Sequence, residues 1–351
     1  MILLIASPKR LTGSEKQSLP NPREGTMTTR RSLLLGLGLS GALLTAAQAQ
    51  TVTLRSADTH PDGYPTVEAV KFMGQLIEQR TNGRFKIQMF PASTLGQEKD
   101  TIEQTRFGVI DMNRINMAPL NNLIPETQVP GLPFVFRSVE HMRKVMDGPI
   151  GEEILKAFEA HGMVGLAFYD SGARSFYNSK RPVTKIEDLK GLKIRVQQSD
   201  MFIALVGALG ANATPMPFGE VFSALQTGVI DGAENNWPSY ESTRHFEVSK
   251  HYSKTEHSMT PEVLVMSKRS WDRLSPADQA IFRAAAKESV AKMRELWEAR
   301  EKSSEAAVRA KGALITEVDK KAFIDAMKPV YDRFVTDAKL KDLLARIQAV
   351  Q

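Results

Sequence analysis

Two arginines, Arg174 and Arg195, stand 21 residues apart in short blocks bounded by glycine and aspartate. The blocks read Tyr169-Asp-Ser-Gly-Ala-Arg174-Ser-Phe-Tyr-Asn178 and Asp188-Leu-Lys-Gly-Leu-Lys-Ile-Arg195-Val-Gln-Gln198. A third block, Ile230-Asp-Gly-Ala-Glu-Asn-Asn-Trp237, adds neutral donors and acceptors. A guanidinium fork meets a carboxylate through two parallel hydrogen bonds, which the point charge of lysine cannot imitate. Together the blocks imply a clamp for a small organic acid.

Catalytic and metal chemistry find little support. No Gly-x-Ser-x-Gly elbow and no phosphate-cradling loop occurs. His245, His251 and His257 recur every six residues, whereas helical zinc ligands are four apart; we read them as solvated or locally bonded. Gly36-Leu-Gly38-Leu-Ser-Gly41 fits a dinucleotide fingerprint, but it lies in an apolar run with no strand before it. The expectation is therefore a protein that is not an enzyme, with no cofactor and no metal.

Positioning such a clamp needs rigid elements. Thr51 to Ser56 alternates as a strand, and Asp58-Thr-His-Pro-Asp-Gly-Tyr-Pro65 is a loop. Val67, Val70, Met73, Leu76 and Ile77 form a helical stripe that Asn82-Gly83 stops. Strand 84–90, helix 97–107 and strand 109–113 follow, an order that favours helices on a largely parallel sheet. After a Pro-rich passage come helices near 139–146 and 150–161 and a buried strand at 163–169. Residues 175–258 read as a second α/β unit, with a helix at 200–209 and a helix at 221–227 leading into a strand at 229–234. Ser275, Pro276 and Asp278 make a strong helix start. The run of helix formers from there to Lys311 predicts a rod of roughly 54 Å at 1.5 Å per residue. A rod of that length exceeds one small domain, and we read it as a brace across two lobes.

The chain of 351 residues is long enough for two cores, and its net charge of +6 is misleading. Residues 1–49 carry six Lys or Arg and two acids; without them 40 bases and 38 acids remain, and no basic run with interleaved aromatics. Nucleic-acid binding is not expected. Met27-Thr-Thr-Arg-Arg31, the apolar run 32–46 and Ala47-Gln-Ala49 predict an export signal cleaved after Ala49, which implies a periplasmic mature protein. Residues 1–26 precede Met27, a good start. Cysteine is absent, which excludes disulfides, thiol catalysis and a lipid-anchoring Cys.

In their order and spacing these blocks resemble the solute-binding subunits of tripartite ATP-independent periplasmic (TRAP) transporters. The likeness runs over residues 52–335 through Thr81-Asn-Gly-Arg84, Leu95-Gly96, Gly108-Val-Ile-Asp111, Leu132-Pro-Phe134, the two arginine blocks, Leu209-Gly-Ala211, Ala224-Leu-Gln-Thr-Gly228 and Val229-Ile-Asp-Gly232. It implies a type II-like periplasmic binding fold: two α/β lobes, a hinge of crossing strands, and one long helix spanning both. The expected division is 1–49 as upstream segment and signal peptide, 50–171 plus 260–299 as lobe I, and 172–259 plus 300–351 as lobe II. Ala57-Asp-Thr-His-Pro61, Gly96-Gln-Glu-Lys99, Asn113-Arg114 and Gly232-Ala-Glu-Asn-Asn-Trp-Pro-Ser-Tyr240 most resemble members that take sugar acids, particularly hexuronates.

The resemblance makes Arg195 the bidentate carboxylate anchor, at a strand end facing a crevice. Arg174 is expected as a second cation on the same carboxylate or a neighbouring hydroxyl. Asn235 and Gln197 are polar partners, and Glu234 takes either a hydroxyl or an arginine. Phe218 stands where the family has an aromatic beneath the ligand, and Trp237 either stacks on the sugar or belongs to the core. His60, Glu98, Asn113, Arg114 and Asn116 are expected to read the rest of the ligand, because sugars need many dual donor–acceptor groups. The implied partners are a sugar acid and TRAP permease subunits in the membrane. Two other readings stand beside this one: an aromatic or aliphatic 2-oxo or hydroxy acid as ligand, or an exported enzyme using Glu98 and Glu234 on acidic sugars.

Overall fold

The computed structural model describes residues 51–351. The expected upstream segment and export signal, residues 1–49, fall outside the described residues. The strands, in chain order, are β1 (Val52–Ala57), β2 (Phe85–Phe90), β3 (Met112–Asn116), β4 (Met163–Tyr169), β5 (Arg174–Asn178), β6 (Lys193–Val196), β7 (Asn212–Pro215), β8 (Gly232–Asn235), β9 (His251–Ser258), β10 (Glu262–Ser267) and β11 (Leu314–Glu317). They form a five-stranded sheet, β2-β1-β3-β10-β4, and a six-stranded sheet, β11-β9-β5-β8-β6-β7.

The first sheet is less parallel than the alternation of elements suggests. β1 runs parallel to β2 and β3, but β10 is antiparallel to both β3 and β4. The cause is topological: β10 enters directly from β9 of the second sheet and not by a helical crossover, so it has no need to run parallel. β3 also lies later than expected, at 112–116 instead of 109–113. Gly108, at φ 77, turns the chain, and pairing of Met112 with Ser56 sets the register.

The helix Pro65–Arg80 buries Val67, Val70, Met73 and Ile77 as its stripe requires. The brace is one helix, Pro276–Ala310, of 35 residues. The Ser275 hydroxyl accepts the Asp278 N–H at 3.1 Å, and Arg84 donates to the Asp278 carboxylate at 3.1 Å. Phe282, Ala285, Ala286, Met293 and Trp297 belong to the core between this helix, the helix 65–80 and the first sheet. Val308, near its other end, belongs to the core beside the second sheet. The C-terminal helix Ala338–Ala349 packs on the helices Gln128–Gly131 and Pro149–Ala157. No helix among the described residues is long and apolar enough to cross a membrane.

The chain passes between the sheets at 170–173, from β4 to β5, and at 259–261, from β9 to β10. These crossings are tied together: the Ser171 hydroxyl donates to the Thr260 carbonyl at 2.7 Å, and Asn236 Nδ2 donates to the Ser171 carbonyl at 2.7 Å. Gly172 adopts φ +59, and a Cβ there would lie 3.1 Å from the Trp297 ring. Gly172→Ala should therefore cost about 1–2 kcal/mol. Chemical denaturation measures this, and an unchanged midpoint would show that the crossing tolerates a side chain.

Candidate functional site

The ends of strands from both sheets converge on one cavity of about 330 Å³ of empty space. Ends of parallel strands are where open α/β sheets present ligand-binding groups. The second sheet supplies Arg174 at the start of β5, Arg195 near the end of β6, and Asn235 at the end of β8, with Gln197 just beyond β6. The first-sheet side supplies Arg114 and Asn116 from β3, Glu262 from the start of β10, His60 and Thr59 from the loop after β1, and Glu98 from the start of a helix.

The two arginines of the clamp are not equivalent. Arg174 is almost fully engaged. Its Nε and Nη2 donate to the Glu234 carboxylate at 2.5 and 2.8 Å, Nη2 also to the Glu234 carbonyl at 2.8 Å, and Nη1 to Asn235 Oδ1 at 2.8 Å. One Nη1 hydrogen of its five is left. Burial pushes the Glu234 carboxyl upward, but the Arg174 charge outweighs this and holds it at about 2. The pair is thus an ion pair with no net charge, and of the two roles open to Glu234 the structure shows the arginine partner.

Arg195 is only 3% exposed, and its Nε and Nη2 both donate to the Met216 carbonyl, at 3.1 and 2.8 Å. Among the described residues it has no carboxylate within ion-pair distance. Both Nη1 hydrogens and one on Nη2 remain, which is the end-on fork that a carboxylate fits. The guanidinium carbon lies 5.8 Å from the Phe218 ring centroid. Burial pulls its pKa down to about 10, so it remains charged at neutral pH. A buried cation without a counter-charge carries a desolvation penalty of several kcal/mol, and an incoming anion relieves it.

The facing wall has the opposite balance. Arg114 is buried and contacts three carboxylates: Asp58, Glu262 at 2.5 Å and Glu98 at 3.5 Å. Its Nη2 also reaches the Thr59 hydroxyl at 2.6 Å. Glu98 accepts the Asn116 N–H at 2.9 Å. Burial is the main cause that raises its pKa to about 7. His60 stacks on Tyr64 at 3.7 Å and meets the Phe218 edge at 5.5 Å. Burial, with Arg114 and Arg174 nearby, keeps its imidazole neutral. The two walls also touch directly: Gln97 Oε1 accepts the Gly219 N–H at 3.3 Å, the Tyr64 and Ser239 hydroxyls lie 3.0 Å apart, and Ser199 donates to Asn121 at 3.0 Å. These contacts bridge the two walls beside the cavity.

Nine of the residues singled out in the sequence share this cavity: Arg174, Arg195, Gln197, Phe218, Asn235, His60, Glu98, Arg114 and Asn116. Three do not line it. Glu234 lies behind Arg174. Asn113 neighbours Arg114 in β3, and successive strand residues face opposite ways, so it shares the side of Ile115. Trp237 stacks on Tyr252 at 3.7 Å within the core. Asp231, just before β8, accepts the Lys193 N–H from β6 at 2.9 Å. His245 and His257 are both buried; His257 is bonded locally, to Thr255 at 2.9 Å, whereas His245 meets the Tyr177 hydroxyl from a distant strand at 2.7 Å.

Thr59, Asn236, Ser239 and Glu262 line the cavity without having been singled out. Asn236 carried a signal in the doubled Asn of its block. Glu262 carried none, because only strand pairing with Asn116 brings it to the site.

A highly polar cavity between two α/β sheets, with one cation in its wall that has no carboxylate partner among the described residues, is the site of a receptor for a small anion. The chain belongs to the DctP family, bacterial extracellular solute-binding protein family 7, whose model matches residues 56–337. Solved relatives are TRAP periplasmic solute-binding proteins. One from Bradyrhizobium sp. BTAi1, in complex with α/β-D-galacturonate, is 59% identical, with a TM-score of 0.84 and coverage of 85% of this chain and 99% of its own. One from Xanthobacter autotrophicus Py2, with bound β-D-galacturonate, is 56% identical, with a TM-score of 0.84 and coverage of 85% and 100%. One from Pseudomonas putida F1, with bound D-glucuronate, is 43% identical, with a TM-score of 0.83 and coverage of 86% and 98%. This protein is a TRAP-type solute-binding protein with their two-lobed fold.

Proposed function

We propose that the protein captures a hexuronate, D-galacturonate foremost, and delivers it unaltered to a TRAP permease for ion-gradient-driven import. Arg195 carries this reading: it is a buried guanidinium whose only protein partner among the described residues is a carbonyl. In this assignment the ligand carboxylate takes the free fork of Arg195 and the remaining Arg174 hydrogen, with Asn235 beside them. The ring hydroxyls meet His60, Glu98, Asn116, Gln197 and Glu262, and Phe218 lies against the sugar. The galacturonate complexes of the two relatives above 50% identity support the ligand class. Release of the mature chain into the periplasm after Ala49 belongs to the same reading. So does the division into lobe I (50–171 plus 260–299) and lobe II (172–259 plus 300–351).

A thermal-shift screen of sugar acids and organic acids tests the proposal. At 100 times its dissociation constant a ligand stabilises by about 2.7 kcal/mol, a plain shift in midpoint. D-Galacturonate and D-glucuronate should give this shift and be recovered unchanged after long incubation. Stabilisation by mandelate-like acids alone would replace the ligand, and appearance of a product would replace the role.

A further inference from the structure

Resting on the uronate reading above, we infer that Glu98 confines this site to acids with a single carboxylate, rejecting six-carbon sugar diacids that are oxidised at both ends. The argument is one of charge placement. Arg195 offers the one buried guanidinium, among those lining the cavity, without a carboxylate partner; Arg174 is neutralised by Glu234. A chain of six carbons anchored at Arg195 extends toward the wall built from Glu98, Arg114, Asn116 and Glu262.

That wall has no cation to offer a second carboxylate. Arg114 faces Glu262, Asp58 and Glu98 at once, and its Nη2 is shared between Asp58 and Thr59. Its Nε is buried without a hydrogen-bond partner, but the charge of the guanidinium is already met by the three carboxylates. Glu262 is held twice, by Arg114 Nη1 at 2.5 Å and by Asn116 Nδ2 at 3.0 Å. Glu98 is the carboxylate with the weakest hold on Arg114, at 3.5 Å. On its own helix, Asp100 turns back to the Gln97 N–H at 3.3 Å and the one adjacent cation, Lys99, is exposed. His60, from the loop after β1, is neutral and adds no positive charge. A hydroxyl or hemiacetal end donates to Glu98; a carboxylate end is repelled by it. Like charges set together in a binding site cost several kcal/mol, about 100-fold or more in affinity. The pKa of Glu98, raised to about 7, adds a signature: rejection weakens as Glu98 takes up a proton.

The test is calorimetry with D-galacturonate, D-galactonate and galactarate on the wild type and on Glu98→Gln, at about pH 8 and about pH 5.5, both well above the range near 3–4 where such acids protonate. Galactonate and galactarate are both open chains and differ only at one end, as alcohol or carboxylate. Wild type at the higher pH should bind galactarate about 100-fold more weakly than galactonate. Glu98→Gln should narrow that ratio about tenfold or more, whatever happens to either affinity alone. Acidification should narrow it in the wild type and leave it unmoved in the variant. Equal binding of the two acids by the wild type, or a ratio that ignores both pH and the substitution, would overturn the assignment of Glu98 while leaving galacturonate capture intact. If neither galacturonate nor galactonate binds, the uronate reading itself fails and takes this inference with it. The wild-type pH series decides the matter even if the variant does not fold.

Discussion

Replacing Arg195 with alanine should weaken uronate binding by about 2–5 kcal/mol, the range for removing one partner of a buried charged hydrogen-bonded pair. That is a loss of tens to thousands of fold in affinity. The free fork explains why: three N–H groups point to no other acceptor among the described residues, and Met216 fixes the rest of the guanidinium. Arg195→Lys should also bind poorly, since an ammonium restores the charge and not the paired hydrogen bonds. A second consequence has the opposite sign. In the empty protein the buried cation has no counter-ion, so Arg195→Met, which keeps much of the volume, should unfold at a higher temperature than the wild type when no acid is present. A raised midpoint together with lost binding is the pattern expected of a residue kept for function at the expense of stability. Calorimetry and thermal unfolding on the same samples check both. A variant that binds galacturonate as the wild type does would remove Arg195 from the anchor position.

Glu234→Gln should be the most destabilising substitution in the site, by about 3–5 kcal/mol, because it leaves Arg174 buried and unpaired. The substitution preserves shape and a carbonyl acceptor, so the loss reports charge. The pH dependence separates it from a packing effect. Glu234 is held at about 2 in the folded state against an ordinary 4.5. A depressed carboxyl contributes stability above its unfolded pKa and loses it as pH falls through the folded one. The gap between wild type and variant should thus be full above pH 4.5 and close between 4.5 and about 2. Glu98 contributes the reverse slope: raised to about 7, it favours the folded state below 4.5 and ceases to do so as pH rises through 7. The two windows meet only at 4.5, so urea titrations across pH resolve them. A gap that persists undiminished at pH 2 would point to misfolding instead of charge.

How much of this was legible beforehand depended on the range of the contacts involved. Arg195, Gln197 and Asn235 could be read from local blocks, since a glycine turn and a short strand place each one within its own segment. The long helix could be read because its cap, its composition and its stop are all contiguous. Asp58 and Glu262 could not be recognised as the counter-charges of Arg114, because they lie 56 and 148 residues away in the chain. Asn113 was misplaced for a related reason: Asn113, Arg114 and Asn116 all fall within β3, set by pairing with β1, so the adjacent Asn113 and Arg114 face opposite sides and only one can share the face of Asn116. The pairing of Arg174 with Glu234 was open in the sequence, where each residue had two plausible roles. Only the approach of β5 to β8, with Phe176 opposite Glu234, decides between them. Trp237 was ambiguous because an aromatic suited to stack on a sugar is equally suited to stack on Tyr252.

The brace from Pro276 to Ala310 constrains how a solute can ever get in. A hydrogen-bonded rod neither lengthens nor shortens, and this one is anchored in the apolar clusters of both sheets. Drawing the sheets apart must then be absorbed by torsions in the two crossings and by curvature of the rod, with Trp297 beside Gly172 at the natural pivot. Such a linkage permits rotation about one axis and resists twist and shear. The mouth should swing like a door on one edge, and every solute would enter and leave by the same side.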